Sequence, residues 1–272
     1  MKNISISLLL LISVSIQAGE ASSCKNVEIK VRSLSLRYAE KVIPKESRYT
    51  QGLIFLNNSI YESSGLYGQS QLNKVDVENG NSEMIHSLPK SLFAEGLASI
   101  NGKLIQLTWK AEKALVYTME NDPNSIYVKK DEYQELNYEG EGWGLTHHKD
   151  QLIMSNGSSE LLFLNPENMQ LESKINVFAG DQPVRNLNEL ELVNNLIYAN
   201  IYGSSEIIAI NPRSGCVEMV LDVKELLDHA TSGIKGKDSF WNFVANGIAY
   251  DSSNRLLYIT GKNWPSIYAF KH

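Results

Sequence analysis

The chain has 272 residues and an apolar fraction of 43%, enough for one large domain or two small ones with a sizeable core. Its net charge is −6 and its Lys and Arg residues form no basic stripe, which excludes nucleic acid as an expected partner. A mildly acidic balance of this kind serves solubility and selects no ligand.

The N-terminus has the layout of a secretory signal. Lys2 supplies a positive end, residues 4–16 form an apolar run broken by serines, and Ala18 offers a cleavage position. Residues 1–18 are therefore expected to be a signal peptide and 19–272 a single mature domain, secreted or periplasmic. The run falls short of the roughly 20 apolar residues of a membrane span, and no later segment comes closer. Cys24 follows Ala21-Ser22-Ser23. Lipid attachment there is the weaker reading, because a bacterial lipid box usually has Leu where Ala21 stands. Cys24 and Cys216 are the two cysteines, and an oxidising compartment would let them pair.

From Gln51 onward the chain repeats itself with a period of about 45 residues, within the propeller range. Five segments open the units: Gln51-Gly52-Leu53, Glu95-Gly96-Leu97, Trp143-Gly144-Leu145, Asn188-Glu189-Leu190 and Asn246-Gly247-Ile248. The recurrent glycine reads as a packing or backbone requirement. Each opening leads through a polar turn, such as Asn57-Asn58, Asn101-Gly102 or Asn194-Asn195, to a second apolar strand. The His147-His148-Lys149-Asp150 stretch is read as such a turn, with both histidines facing solvent. Third and fourth strands follow, joined by turn signals such as Asp76-Val77-Glu78-Asn79-Gly80 and Asn211-Pro212-Arg213-Ser214-Gly215. Four short strands per repeat make a propeller blade. Two insertions interrupt the pattern. Residues 120–136 lengthen the second blade, and residues 224–241 join blades four and five, with helical character over 223–229. After Trp264-Pro265 the fifth unit has room for one more strand. The missing outer strand is expected from residues 27–36, where Val27, Ile29 and Val31 alternate before Leu34 and Leu36. The expected fold is an all-β, five-bladed propeller closed by an N-terminal strand, which removes an exposed sheet edge.

In such a ring the starts of the first strands and the ends of the second strands share one mouth, where convergent polar groups can surround a small ligand. The starts bring Gln51, Glu95, Trp143, Asn188 and Asn246. The ends bring Glu62, Trp109, Asn156, Tyr202 and Lys262. Indoles around a carboxyl raise its pKa by desolvation, as a general acid near neutral pH requires; a nearby lysine pulls the other way. The plainer readings stand beside this one. Asn246 can simply bond loop backbone, Trp109 and Trp143 can be inter-blade core, Lys262 a solvated charge, and Glu62 a buttress. No His, Cys or carboxylate set has metal-ligand spacing, and there is no phosphate loop or nucleophile elbow.

Several words are more specific: Tyr49-Thr50-Gln51-Gly52-Leu53, Leu107-Thr108-Trp109-Lys110, Gly140-Glu141-Gly142-Trp143-Gly144, Arg185-Asn186-Leu187-Asn188-Glu189 and Thr260-Gly261-Lys262-Asn263-Trp264-Pro265. In this order they resemble the plant and bacterial glutamine cyclotransferases over nearly the whole mature chain. The resemblance implies a five-bladed propeller that closes N-terminal glutamine of peptides or proteins into pyroglutamate and releases ammonia. It implies general acid/base catalysis without metal or cofactor. Glu95, preceded by Phe93, corresponds to the proposed acid/base. Gln51, Asn188, Lys262, Trp109 and Trp143 correspond to the family's pocket residues. The chain departs from the family at Tyr49, usually Phe, and at Tyr202, usually Trp. A monomer is expected. The rival functions are a non-catalytic peptide- or protein-binding propeller and a lactonase or sugar-dehydrogenase propeller; fold alone separates none of these.

Overall fold

A computed structural model describes residues 24–122, 125–232 and 242–272. The expected signal peptide and the end of the 224–241 insertion lie outside the described residues.

Five antiparallel units form the blades, each of four strands except the second, whose third strand pairs with two further strands. Blade 1 runs through Thr50–Leu56, Ser59–Ser64, Gln71–Asp76 and Ser82–Ser87. Blade 2 begins with Ala94–Ile100 and Lys103–Thr108, and its long third strand Lys113–Asp122 pairs with both Ser125–Val128 and Gln134–Asn137. The 120–136 insertion thus extends this blade as a hairpin. Blade 3 comprises Leu145–His148, Gln151–Met154, Glu160–Leu164 and Leu171–Asn176. Blade 4 comprises Leu187–Val193, Leu196–Ile201, Glu206–Ile210 and Val217–Asp222. Blade 5 comprises Ala245–Asp251, Leu256–Gly261, Ser266–Lys271 and Ala39–Pro44.

Turn chemistry sets these strands locally. Asn57 and Asn58 (φ 48° and 56°), Asn101 and Gly102 (51° and 72°), and Asn194 and Asn195 (48° and 68°) are left-handed pairs between first and second strands. Two consecutive positive φ values match the twist of a tight hairpin. Between third and fourth strands, Asp76, Asn165 and Asn211 each accept the N–H two residues on, from Glu78, Glu167 and Arg213.

The core is five apolar clusters, one between each pair of adjacent blades. The cluster of Leu53, Ile60 and Val75 with Tyr258, Ile267 and Ala269 joins blade 1 to blade 5. The short helix Lys224–Ala230 buries Leu226, Leu227 and Ala230 against the blade 4–5 cluster. Around the channel the first strands approach backbone to backbone. A Cβ on Gly96 would lie 2.4 Å from the Leu145 nitrogen, and one on Gly144 would lie 2.0 Å from the Asn188 oxygen. The recurrent glycine is therefore a packing requirement.

Two expectations are corrected. Residues 27–36 do not supply the outer strand of blade 5. Lys30–Ser33 instead lies parallel to Val217–Asp222 as a fifth strand on blade 4, and the strand paired with Ser266–Lys271 is Ala39–Pro44. The alternation marked a strand but not the edge it joins, and Val31 is 73% exposed. A disulfide between Cys24 and Cys216 ties this segment to blade 4. A crosslink across 192 residues removes about 5 kcal/mol of unfolded-chain entropy, and a sulfur so bonded carries no lipid. The second correction concerns His147 and His148. They end the first strand of blade 3, and His147 lines the channel mouth opposite the pocket described next.

Candidate active site

The chemistry-bearing residues sit where the first strands leave regular register. The ladders slip between Thr50 and Gly52, Ala94 and Leu97, Leu187 and Leu190, and Ala245 and Ile248. Gln51, Glu95, Asn188 and Asn246 occupy those slips. A bulge frees a side chain from strand alternation and re-aims it. In blade 3 the equivalent residue, Trp143, stands just before its strand, held by its N–H on the Ser155 carbonyl at 2.9 Å. Its indole lies on Gly157 (φ 79°), where a Cβ would come within 2.7 Å of the ring. The second strands deliver Trp109, Tyr202 and Lys262 one residue past their ends.

These groups meet in a cavity of about 230 Å³ lined by Gln51, Glu95, Asn188 and Lys262 with the rings of Tyr49, Phe93, Trp109, Trp143 and Tyr202. Leu66 completes the wall. Three sequence-derived candidates fall elsewhere. Glu62 is buried behind the wall in an ion cluster with Lys45 and Arg48. Asn156 caps its own turn by accepting from Ser158. Asn246 stands behind Gln51 and donates to it at 3.0 Å. In blade 1 the chain runs on from Glu62 through Ser63, Ser64 and Gly65, so Leu66 takes the wall position.

The rings form a belt. Tyr49 meets Phe93 edge-on at 6.2 Å, Phe93 meets Trp109 at 5.6 Å, and Trp143 meets Tyr202 at 5.9 Å between centroids. Two charges close the gaps. Lys262 Nζ stands 4.5 Å from the Tyr49 centroid and 4.9 Å from that of Tyr202, a geometry that favours an ammonium on both ring faces. On the opposite side Glu141 Oε2 accepts from the indole N–H of Trp109 at 2.8 Å and of Trp143 at 3.1 Å. Sequence reasoning missed this bracket, although Glu141 lies in the quoted Gly140-Glu141-Gly142-Trp143 word. Lys110 stands 3.5 Å from the other Glu141 oxygen and 4.0 Å from the Trp109 centroid.

The glutamine cyclotransferase family model matches residues 8–272. The chain belongs to this family. The glutaminyl-peptide cyclotransferase of Arabidopsis thaliana is 35% identical over 229 residues, covering 82% of this chain and 67% of that protein. The crystal structure of Myxococcus xanthus glutaminyl cyclase superposes with a TM-score of 0.75 at 30% identity, covering 89% of this chain and 97% of that one.

The cyclotransferase pocket has an unusual charge state. Burial holds the Glu95 carboxyl well above the usual carboxylate range. Lys262 and a hydrogen bond from Gln51 oppose the rise, and Glu141 adds to it. Burial likewise lowers Lys262 to about 8, against the pull of Glu95. Burial thus shifts both groups toward their neutral forms, the direction that brings an acid and a base closer to the range where protons exchange. Burial raises the Glu141 carboxyl too, but the indole N–H groups of Trp143 and Trp109, with Lys110, outweigh it and leave Glu141 below the usual range. Beneath the pocket, Tyr117 donates to Gln106 at 2.9 Å, Gln106 to Ser63 at 2.8 Å, and Ser63 to the Glu95 carbonyl. This buried chain anchors the backbone that carries the carboxyl.

Proposed function

We propose that this chain closes the N-terminal glutamine of peptides or proteins into pyroglutamate and releases ammonia, with Glu95 as acid and base. The observation that carries this reading is the belt of five rings around the buried Glu95 carboxyl, whose pKa burial raises, with Lys262 beside it.

The belt surrounds a volume suited to one glutamine side chain, and Phe93, Trp109 and Trp143 offer its methylenes an apolar wall. Folding that side chain back sets the α-amine against its own γ-carbonyl, the near-attack geometry that an intramolecular reaction needs. As carboxylate, Glu95 takes the proton of the attacking amine. The lactam C–N bond forms and negative charge gathers on the carbonyl oxygen. Gln51 is engaged with Glu95, which leaves the Asn188 amide and the Lys262 ammonium to receive that charge. Glu95 then returns the proton to the departing nitrogen, the original amide C–N bond breaks, and ammonia leaves. The apolar belt excludes the water that would otherwise hydrolyse the side chain.

The Cys24–Cys216 bond fits export to an oxidising compartment, and among the described residues no helix is long and apolar enough to cross a membrane.

Purified protein treated with EDTA and incubated with peptides bearing N-terminal glutamine is expected to yield the lactam and one ammonia per turnover, followed by mass spectrometry and a coupled ammonia assay. Folded protein that binds such peptides without converting them would establish the peptide-binding propeller instead.

A further inference from the structure

Asn246 lines no part of the cavity, yet it controls what Gln51 presents there. The Asn246 side-chain NH₂ donates to two groups, the Thr50 carbonyl at 2.9 Å and Gln51 Oε1 at 3.0 Å. A backbone carbonyl can only accept. The Thr50 oxygen therefore requires the nitrogen of Asn246 on its side. The second hydrogen of that nitrogen then requires the oxygen of Gln51. What remains to face Glu95 is the Gln51 NH₂; the two side chains line the same cavity, and Gln51 acts on the Glu95 carboxyl as a donor would, opposing the rise in its pKa. Turning Asn246 over would set its oxygen against two acceptors at once. The backbone holds it in place as well: Gly247 N–H donates to Asn200 Oδ1 at 3.0 Å, and Asn200 and Asn246 are both fully buried.

We propose that Asn246 is a positioning residue whose amide sets the polarity of a relay from Thr50 through Asn246 and Gln51 to Glu95, so that a donor and never an acceptor faces the catalytic carboxyl. This rests on the acid/base role given to Glu95 above. The chemical consequence concerns which oxygen reacts. A Gln51 donor that serves one Glu95 oxygen leaves the other to exchange the proton with substrate. Were Gln51 to turn over, its carbonyl would face the carboxyl, and only protonated Glu95 could satisfy the contact. The carboxylate needed to start the reaction would then be scarce at neutral pH.

The other charged or titratable groups that act with Glu95 are Lys262, Glu141, Tyr49 and Tyr138. None is altered by changing Asn246, so a shift in Glu95 titration reports the relay. The Glu95 carboxyl is followed directly by infrared difference spectroscopy, with the Glu95→Gln variant identifying its band; this readout does not depend on turnover. Asn246→Ala is expected to move the Glu95 titration, and the acid limb of kcat/KM with it, up by about one pH unit. In a Gln51→Ala background the same substitution is expected to move neither. Asn246→Ser, which removes less volume, serves in both backgrounds if the alanine variant does not fold. A folded variant with unchanged Glu95 titration, or a shift that persists without Gln51, overturns the proposal. A clear shift in a protein that turns over no glutamine peptide would retain the relay and reject the reaction.

Discussion

Glu62 and Glu95 are both fully buried carboxyls, one in each of two adjacent blades, and they end in opposite states. Glu62 accepts from Lys45 at 2.7 Å and Thr50 at 2.6 Å on one oxygen, and from Arg48 at 2.9 Å on the other. Burial pushes it up, but two cations and their hydrogen bonds more than offset this and hold it below the usual range. Glu95 suffers the same burial and has one cation, one amide donor and an opposing carboxylate, so it stays high. Burial alone therefore does not make a proton-transfer group. The number of cations facing a buried carboxyl decides which way its pKa moves. Thr50 joins the two: its hydroxyl serves Glu62 while its carbonyl sets Asn246, beside Gln51.

The largest effect should come from neutralising Glu95, the proposed acid/base. Glu95→Gln is expected to lower kcat by about 10²–10⁴-fold and to melt no earlier than the wild type, since it removes a poorly compensated buried acid. Full turnover in that variant would take Glu95 out of the acid/base role. Glu62→Gln should do the reverse. It leaves Lys45 without its ion-pair partner in the interior and Arg48 with only the exposed Glu46, at a cost of about 3–5 kcal/mol of stability, read from chemical denaturation. Molecules that remain folded should keep most of their turnover. Equal loss of activity in both variants would erase the distinction drawn here.

The third change sharpens the comparison at the cation. Lys262 is held near 8 by burial, so its ammonium is lost as pH rises through that value, and with it a donor for the carbonyl oxygen. The alkaline limb of kcat/KM is expected near pH 8. Lys262→Arg keeps its charge throughout that range, so the variant should lose that limb even if its rate falls. An unchanged limb would assign it to another group.

How much of this was legible beforehand follows from what a repeat can specify. A period tells which residues share a level of the ring, and so it assigns Gln51, Glu95, Trp143 and Asn188 to one mouth. The same logic places Trp109, Tyr202 and Lys262 there. It fails for Glu62 and Asn156, because a one- or two-residue difference in where a second strand ends turns the side chain to the other face, and for Asn246, which stands behind Gln51 rather than on the wall. Lys45, Arg48 and Glu141 come from segments between strands, whose paths carry no period. Charge compensation was likewise invisible: Glu62 and Glu95 look alike in sequence, and only the cations folded against them distinguish them. The edge chosen by residues 27–36 was hidden for the same reason, since alternation describes a strand and not its neighbour.

Glu191 supplies the smallest test, because it is a carboxyl in a secluded place with no cation at all. It lines the opposite mouth of the channel and accepts from the Tyr250 N–H at 2.9 Å. Burial raises it to about 8. An acid whose pKa is raised on folding gives stability that is fully present below its unfolded value and is lost as pH rises through the folded value. For Glu191 that window runs from about 4.5 to about 8. Glu191→Gln stays neutral, so its stability relative to the wild type should improve between pH 5 and pH 8. The gain should be about 1–2 kcal/mol, smaller than the whole shift would supply because an open mouth admits water. His147, in the same mouth, has its pKa lowered by burial and by His148; its contribution has the opposite slope, and comparing variant with wild type at each pH cancels it. Some decline with pH should remain in the variant, since Glu189 is also held high by burial; the Glu191 charge adds to that rise, so its removal relieves Glu189 as well, while the Leu53 and Ile248 N–H groups oppose the rise. Turnover should be unchanged, because Glu191 touches no residue of the aromatic belt. A melting difference that stays flat from pH 5 to pH 8 would mean that Glu191 is already charged at pH 5, and that seclusion without a cation is not enough to raise a carboxyl in this fold.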